Sequence, residues 1–93
     1  MDIKHEETTT KGSFFILQEG KKVAFMTYSK AGPNRIIIDH TEVSPVLKGK
    51  NAGKQLVAAG VEYARKNNLK ILPLCPFARS VFNRVAEYAD VLD

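Results

Sequence analysis

Val43-Ser44-Pro45-Val46-Leu47-Lys48-Gly49-Lys50-Asn51-Ala52-Gly53-Lys54 divides the chain into two kinds of sequence. Before this stretch, apolar residues come in short extended runs. After it, they recur at helical spacing. Arg35 to Val43 carries Ile36, Ile37 and Ile38 in succession, β-branched residues that favour a strand, and ends on the polar Asp39-His40-Thr41-Glu42. From Ala52 on, Ala52, Leu56, Ala59, Tyr63 and Ala64 share one helical face, with Gly60 among them, while Lys54, Glu62, Arg65 and Lys66 take the other. The quoted stretch therefore joins a strand end to a helix start. Backbone N–H groups at a helix start have no intrahelical partner and carry partial positive charge. A diphosphate can accept several of them at once. Gly49 and Gly53 allow a tight turn and close approach, and Lys48, Lys50 and Lys54 add attraction for an anion. Two readings stay open on this pattern: an anion-binding loop, or a plain glycine-containing turn ahead of an amphipathic helix. It is not a P-loop, because Gln55 follows Gly53-Lys54, and no Gly-x-Gly-x-x-Gly is present.

Working outward, Ser13 to Leu17 and Val23 to Tyr28 read as strands joined through Glu19-Gly20-Lys21, a hairpin. Ala31-Gly32-Pro33-Asn34 is a second turn. Residues 1–11 are polar and are expected either to fray or to form a short edge strand; His5 is taken as terminal and without a role. Asn67-Asn68 stops the helix, and Leu69 to Leu74 is a short buried strand. Strand, helix and strand in this order imply a right-handed crossover between parallel strands. Pro76 suits the first turn of a final helix, whose expected buried stripe is Phe77, Val81, Phe82 and Val85. The order β-β-β then α-β-α predicts an α+β fold, an α/β sandwich whose sheet is mostly antiparallel with one β-α-β crossover and a C-terminal helix.

Ninety-three residues suit one small domain, so residues 1–93 are read as a single unit. One cysteine, Cys75, cannot close an internal disulfide. No apolar stretch approaches the ~18 residues of a membrane span, and Met1 to Glu7 lacks the apolar run of a signal peptide. These features lead to the expectation of a cytoplasmic protein, a monomer or weak homodimer without a membrane partner. The net charge of +4 admits nucleic acid as a partner. With no recognition-helix signature, zinc spacing or aromatic-interleaved strand, that partner is disfavoured against an anionic small molecule.

Three pieces of sequence now combine: Asp39-His40-Thr41-Glu42-Val43, the loop Lys48 to Gly53, and Leu74-Cys75-Pro76-Phe77-Ala78. Their order and spacing resemble very small members of the GNAT superfamily of N-acetyltransferases, over roughly residues 12–88. The loop is similar to that superfamily's Arg/Gln-x-x-Gly-x-Gly/Ala motif after a Val-x-Pro strand end, with Lys48, Asn51 and Gly53 at its three places. Asn51 is the non-glycine type best able to adopt a left-handed backbone, and Lys48 keeps charge without the guanidinium fork. The resemblance implies a minimal GNAT-like fold in which strands 35–43 and 69–74 splay apart. It implies acetyl-CoA (coenzyme A) held by Val43, Lys48, Gly49, Lys50, Asn51, Ala52, Gly53, Lys54 and Arg79. Backbone N–H groups near Glu42 and Val43 would face the thioester, and acetyl would pass to an amine acceptor that the sequence does not name. The candidate catalytic groups are Cys75, His40 and Glu42. Cys75 reads as a buried small residue, a lining of the thioester pocket or an acyl-carrying nucleophile. His40 is of the residue type suited to proton transfer at neutral pH and reads as the base or as an inert histidine, with Glu42 the alternative base. Larger members have Asn-x-x-Ala-x-x-x-Tyr where this chain has Cys75, Ala78 and Phe82, and Phe82 has no hydroxyl to protonate a thiolate. The alternative function is therefore a non-catalytic acyl-CoA-binding module or regulator.

Overall fold

In the computed structural model, which describes residues 1–93, five strands form one sheet in sequence order. They are β1 (Lys4–Glu7), β2 (Lys11–Gln18), β3 (Lys21–Lys30), β4 (Arg35–Val43) and β5 (Lys70–Pro73). β1 to β4 are antiparallel, and β4 pairs parallel with β5. The crossover between these last two is helix α1 (Ala52–Asn67), and α2 (Pro76–Arg84) follows β5. The β2–β3 connection is a two-residue turn, Glu19-Gly20, with φ of 51° and 79°. Positive φ at both positions matches the right-handed twist of the flanking strands.

Both helices pack on one face of the sheet. Ala24, Met26 and Tyr28 of β3 and Ile36 and Ile38 of β4 turn to that face and join Leu56, Val57, Val61 and Ala64 of α1 and Ala78, Val81 and Phe82 of α2 in one buried cluster. Full burial of a valine or leucine here contributes about 1.5–3 kcal/mol, so this stripe is what holds α1 to the sheet. Gly60 lies where an added Cβ would sit 3.0 Å from the Met26 methyl, so the helix axis comes close to β3. Helix α1 ends as expected: Asn68 takes a left-handed conformation at φ 56°, and the Leu69 N–H reaches back to the Ala64 carbonyl at 2.8 Å. The other face carries Phe25, Ile37 and Leu72 outside the cluster, with Phe15 sheltered beneath the Lys22 ammonium 4.5 Å from its ring centre. We call these the helical face and the open face.

Three expectations are corrected or decided. The N-terminal residues form a strand rather than fraying. β1 is exposed along its length but fastened by polar and aromatic contacts that involve His5. The His5 ring stacks on Phe14 with centroids 4.2 Å apart, and its Nε2 lies 2.7 Å from the Tyr28 hydroxyl. Glu7 Oε2 accepts from Tyr63 at 2.7 Å and Tyr28 at 3.1 Å. Burial, partly offset by Glu7, lowers the His5 pKa, and burial raises that of Tyr28. Gly12 makes room for this arrangement: a Cβ there would fall 2.3 Å from the Tyr28 ring and hydroxyl. Val85 is not in the buried stripe of the final helix; the helix stops at Arg84 because Ala86–Val91 turns into a 3-10 segment. That segment is held by Arg65, which donates to both oxygens of Asp90 and to the Glu87 carbonyl. Leu92 then bridges Ile71 on the far side of β5. No helix is long and apolar enough to cross a membrane.

Candidate functional site

The β4–β5 ladder is short. Arg35 to Ile38 pair with Lys70 to Pro73, and there it ends. The Leu74 and Cys75 N–H groups both converge on the Ile38 carbonyl, at 3.1 and 3.2 Å. Pro76 then starts α2, so β5 cannot continue alongside β4. Beyond Ile38, β4 keeps only its β3 partner. The Ser44 N–H donates to Val23 on β3. Because N–H directions alternate along a strand, Val43 and Thr41 point their N–H and C=O groups at the vacated edge. Glu42 points into the β3 ladder. The expectation that the Glu42 N–H faces the cleft is corrected accordingly: Thr41 takes that place, because the face of each backbone group follows the parity of its position.

The loop turns out of β4 through a 3-10 turn at Pro45–Leu47, whose buried Leu47 anchors it to the core. Gly49 at φ 81° and Asn51 at φ 56° are both left-handed, as the resemblance required of Asn51. The first backbone bond of α1 is Gln55 N–H to Asn51 carbonyl at 3.0 Å, and Asn51 makes no side-chain cap. The N–H groups of Gly49, Asn51, Ala52, Gly53 and Lys54 thus have no protein acceptor. Lys48, Lys50 and Lys54 are exposed around them, and no carboxylate pairs with any of the three. Gly53 is buried for a reason the sequence did not disclose: a Cβ there would fall 2.6 Å from the Phe77 ring of α2. The glycine lets the two helix starts meet. Arg79 is exposed on α2 and makes no ion pair.

Cys75 caps α2 and is buried, 5% exposed. Its Sγ lies 3.6 Å from the Thr41 hydroxyl oxygen. Burial pushes the thiol pKa up, but the Ala78 N–H, the Thr41 hydroxyl and the N–H groups of Phe77 and Thr41 outweigh it and hold the thiol below its ordinary value. Thr41 was not singled out from the sequence. Its place two residues before Val43, on the same side of the strand, is the signal that would have found it.

His40 and Glu42 lie elsewhere. They pair across β3 with Thr27 and Phe25, on the open face, whereas Thr41 pairs with the buried Met26. The His40 ring centre is 5.8 Å from that of Phe25, and its Nε2 is 3.8 Å from Glu42 Oε1. Asp39, the residue bulged out of the β3–β4 register, turns to the same face and accepts from Ser29 at 2.8 Å. The three catalytic candidates are thus not one cluster: His40 and Glu42 stand on one side of β4, and Cys75 on the other.

Comparison with known proteins agrees with this fold. The family model described as GCN5-related N-acetyl-transferase matches residues 13–91. A GCN5-like protein of Staphylococcus aureus, solved by NMR, is 40% identical, with 97% of this chain and 87% of that one covered and a TM-score of 0.75. The ribosomal-protein-alanine N-acetyltransferase of Brucella melitensis biovar Abortus 2308 shares the fold at 17% identity and a TM-score of 0.69, covering 84% of this chain and 62% of that one. An acetyltransferase structure from Bacillus anthracis str. Ames, in complex with acetyl coenzyme A, shares it at 19% identity and a TM-score of 0.58, covering 71% of this chain and 38% of that one. No match is found among curated proteins. With the family model covering most of its length, the chain belongs to the GCN5-related N-acetyltransferase family.

Proposed function

We propose that this protein binds acetyl-CoA in the opening between β4 and α2 and transfers the acetyl group to an amine. The observation that supports this best is the succession of two unsatisfied features: the Val43 N–H at the vacated edge of β4 and, after the 3-10 turn, the N–H groups of Gly49 and of Asn51 to Lys54, none of which has a protein acceptor. The first suits the amide-bearing pantetheine arm, which can pair as a strand would. The second suits a diphosphate, with Lys48, Lys50 and Lys54 adding charge. When bound, acetyl-CoA supplies a thioester whose carbonyl carbon an amine attacks, with the thiol of coenzyme A as leaving group.

The chain's own groups then divide the work. The Val43 N–H, the donor left without a partner at this edge, would donate to the carbonyl oxygen, where charge develops. His40, exposed on the open face beside Glu42, takes the proton from the amine at Nε2. Glu42, 3.8 Å from that imidazole, would orient it. With Phe82 lacking a hydroxyl, the Cys75 thiol supplies the proton to the departing sulfur, and its N–H surroundings ease that loss. Cys75 recovers a proton from solvent. Arg79 contributes charge at the start of α2. A second reading, acyl-CoA binding without turnover, is favoured by the separation of His40 from Cys75.

Millimolar acetyl-CoA is expected to raise the melting temperature, since a ligand that binds only the folded state stabilises it by mass action. The absence of a shift would sink the cofactor assignment. Mass spectrometry after incubation separates the roles of Cys75: an acetyl group on Cys75 that hydroxylamine removes would replace direct attack by an acyl-cysteine route. Binding without coenzyme A release for any amine would leave the non-catalytic reading.

A further inference from the structure

We infer that the acceptor is a primary amine on an apolar body that carries no negative charge, and that it reaches the thioester from the open face of the sheet. This deepens the acetyl-transfer reading and rests on it. The cofactor side of the cleft and the acceptor side differ in charge. The loop presents Lys48, Lys50 and Lys54. The open face of β4 beside the vacated edge presents Asp39, His40 and Glu42, with no lysine or arginine between Asp39 and Pro45. Lys22, on the neighbouring strand, is neutralised by Glu6 at 3.1 Å and lies over Phe15. His40 and Glu42 remain open to solvent, with side chains 61% and 67% exposed. A protonated amine is drawn to such a bank, and a carboxylate or phosphate on the same molecule is repelled from it.

Apolar side chains stand next to this bank. Ile37 and Leu72 are register partners across the last paired stretch of β4 and β5, and Ile37 shares the open face with Ser29. Leu74, where β5 breaks off, is 55% exposed, a large hydrophobic side chain at the end of the ladder. Phe25 lies beside His40 at 5.8 Å between ring centres. Carboxylates and an imidazole on one bank and leucines on the other match a molecule with a cationic end and an apolar end. Sugar amines are polar throughout, and amino acids carry a carboxylate next to the amine, so neither fits both banks.

The test uses the full-length protein and phenethylamine as the probe, with glutamate, glucosamine 6-phosphate and a lysine-rich peptide as comparisons. Coenzyme A release is expected with phenethylamine at least 10-fold faster than with the three others. Independently of turnover, phenethylamine added to the coenzyme A-loaded protein should shift the amide signals of residues 39–42 and 74, and glutamate should not. Asp39→Asn should raise KM for phenethylamine about 2–5-fold, the scale of one exposed charge contact, and Leu74→Ser about 3–10-fold through lost apolar contact, with kcat and the acetyl-CoA melting shift unchanged in both. A preference for an anionic amine or for the peptide, turnover of none of the four, or amide shifts confined to the helical face would overturn the acceptor assignment while leaving cofactor binding intact. Loss of the acetyl-CoA melting shift in the unmodified protein would overturn both.

Discussion

The two helices of this protein begin alike in one respect: neither Asn51 nor Cys75 caps its helix with a side-chain oxygen. What the uncapped N–H groups face differs. Those of α1 have no protein acceptor and stand amid three exposed lysines, with the four donors of Asn51 to Lys54 and that of Gly49 in reach of a large anion. Those of α2 close on a single buried sulfur. Identical backbone physics thus gives a ligand cradle in one place and a tuned side chain in the other. The difference is set by what each start meets: Gly49, Asn51 and Lys54 around the α1 start are exposed, whereas the α2 start carries a buried thiol against Thr41. Gly53, where an added Cβ would fall against Phe77, is the point at which the two starts touch.

The sharpest way to break the comparison is at that contact. Gly53→Val drives a branched side chain into the Phe77 ring, and overpacking of this kind costs about 1–3 kcal/mol. For a chain of this size that lowers the melting temperature by about 4–8 °C per kcal/mol, and acetyl-CoA binding should fall with it. Combining it with Phe77→Ala should recover part of the loss, as neighbours that share a contact are not additive. Thermal unfolding of the single and double variants followed by circular dichroism decides this. If Gly53→Val melts like the parent but fails to bind acetyl-CoA, the glycine serves the ligand rather than the helix contact.

A smaller effect is expected at the α2 start. The folded Cys75 thiol is held below its ordinary value, so the folded state binds that proton more weakly than the unfolded chain does. The stabilising contribution is fully present above the unfolded value of about 8.5, and it is lost as pH falls through the folded value. Alkylation of the thiol in urea-exposed and native protein across that range reports both values. Thr41→Val removes a donor to Sγ and should move the native midpoint upward. An unchanged midpoint would mean that the helix N–H groups alone set the thiol.

The smallest effect belongs to single lysines at the α1 start. Lys50→Ala should weaken acetyl-CoA binding only about 2–5-fold, as one exposed charge contributes little. It should leave the melting temperature of the free protein unchanged, because Lys50 makes no ion pair there. Replacing Lys48, Lys50 and Lys54 together should weaken binding further and reduce its dependence on salt. Calorimetry at low and moderate ionic strength measures both. A salt dependence that survives the triple replacement would shift the attraction to Arg79 or to the backbone donors alone.

Much of this was legible in advance because it rests on local chemistry. The isoleucines of β4, the helical spacing from Ala52 and the proline opening α2 each specify an element without help from distant residues. Asn51 in the left-handed region was legible because few residue types tolerate that conformation. His5 was not: a polar residue near a terminus reads as solvent-exposed, and only the pairing of β1 with β2 lays its ring on Phe14. The stop at Arg84 was hidden for the same reason, since the anchor that turns the chain is Arg65, distant in sequence from Asp90.

The amino-acid sequence by itself determined which segments are strand and helix, where the glycine- and lysine-rich turn falls, and that an anion suits it, since all three follow from neighbours along the chain. Only the tertiary structure decided which side of β4 each candidate occupies. The bulge at Asp39 and the break of β5 after Pro73 place His40 and Glu42 on the open face and Cys75 beneath Thr41. The physical reason is parity: strand side chains alternate faces with a period of two, so a one-residue bulge in a distant pairing reassigns every residue beyond it.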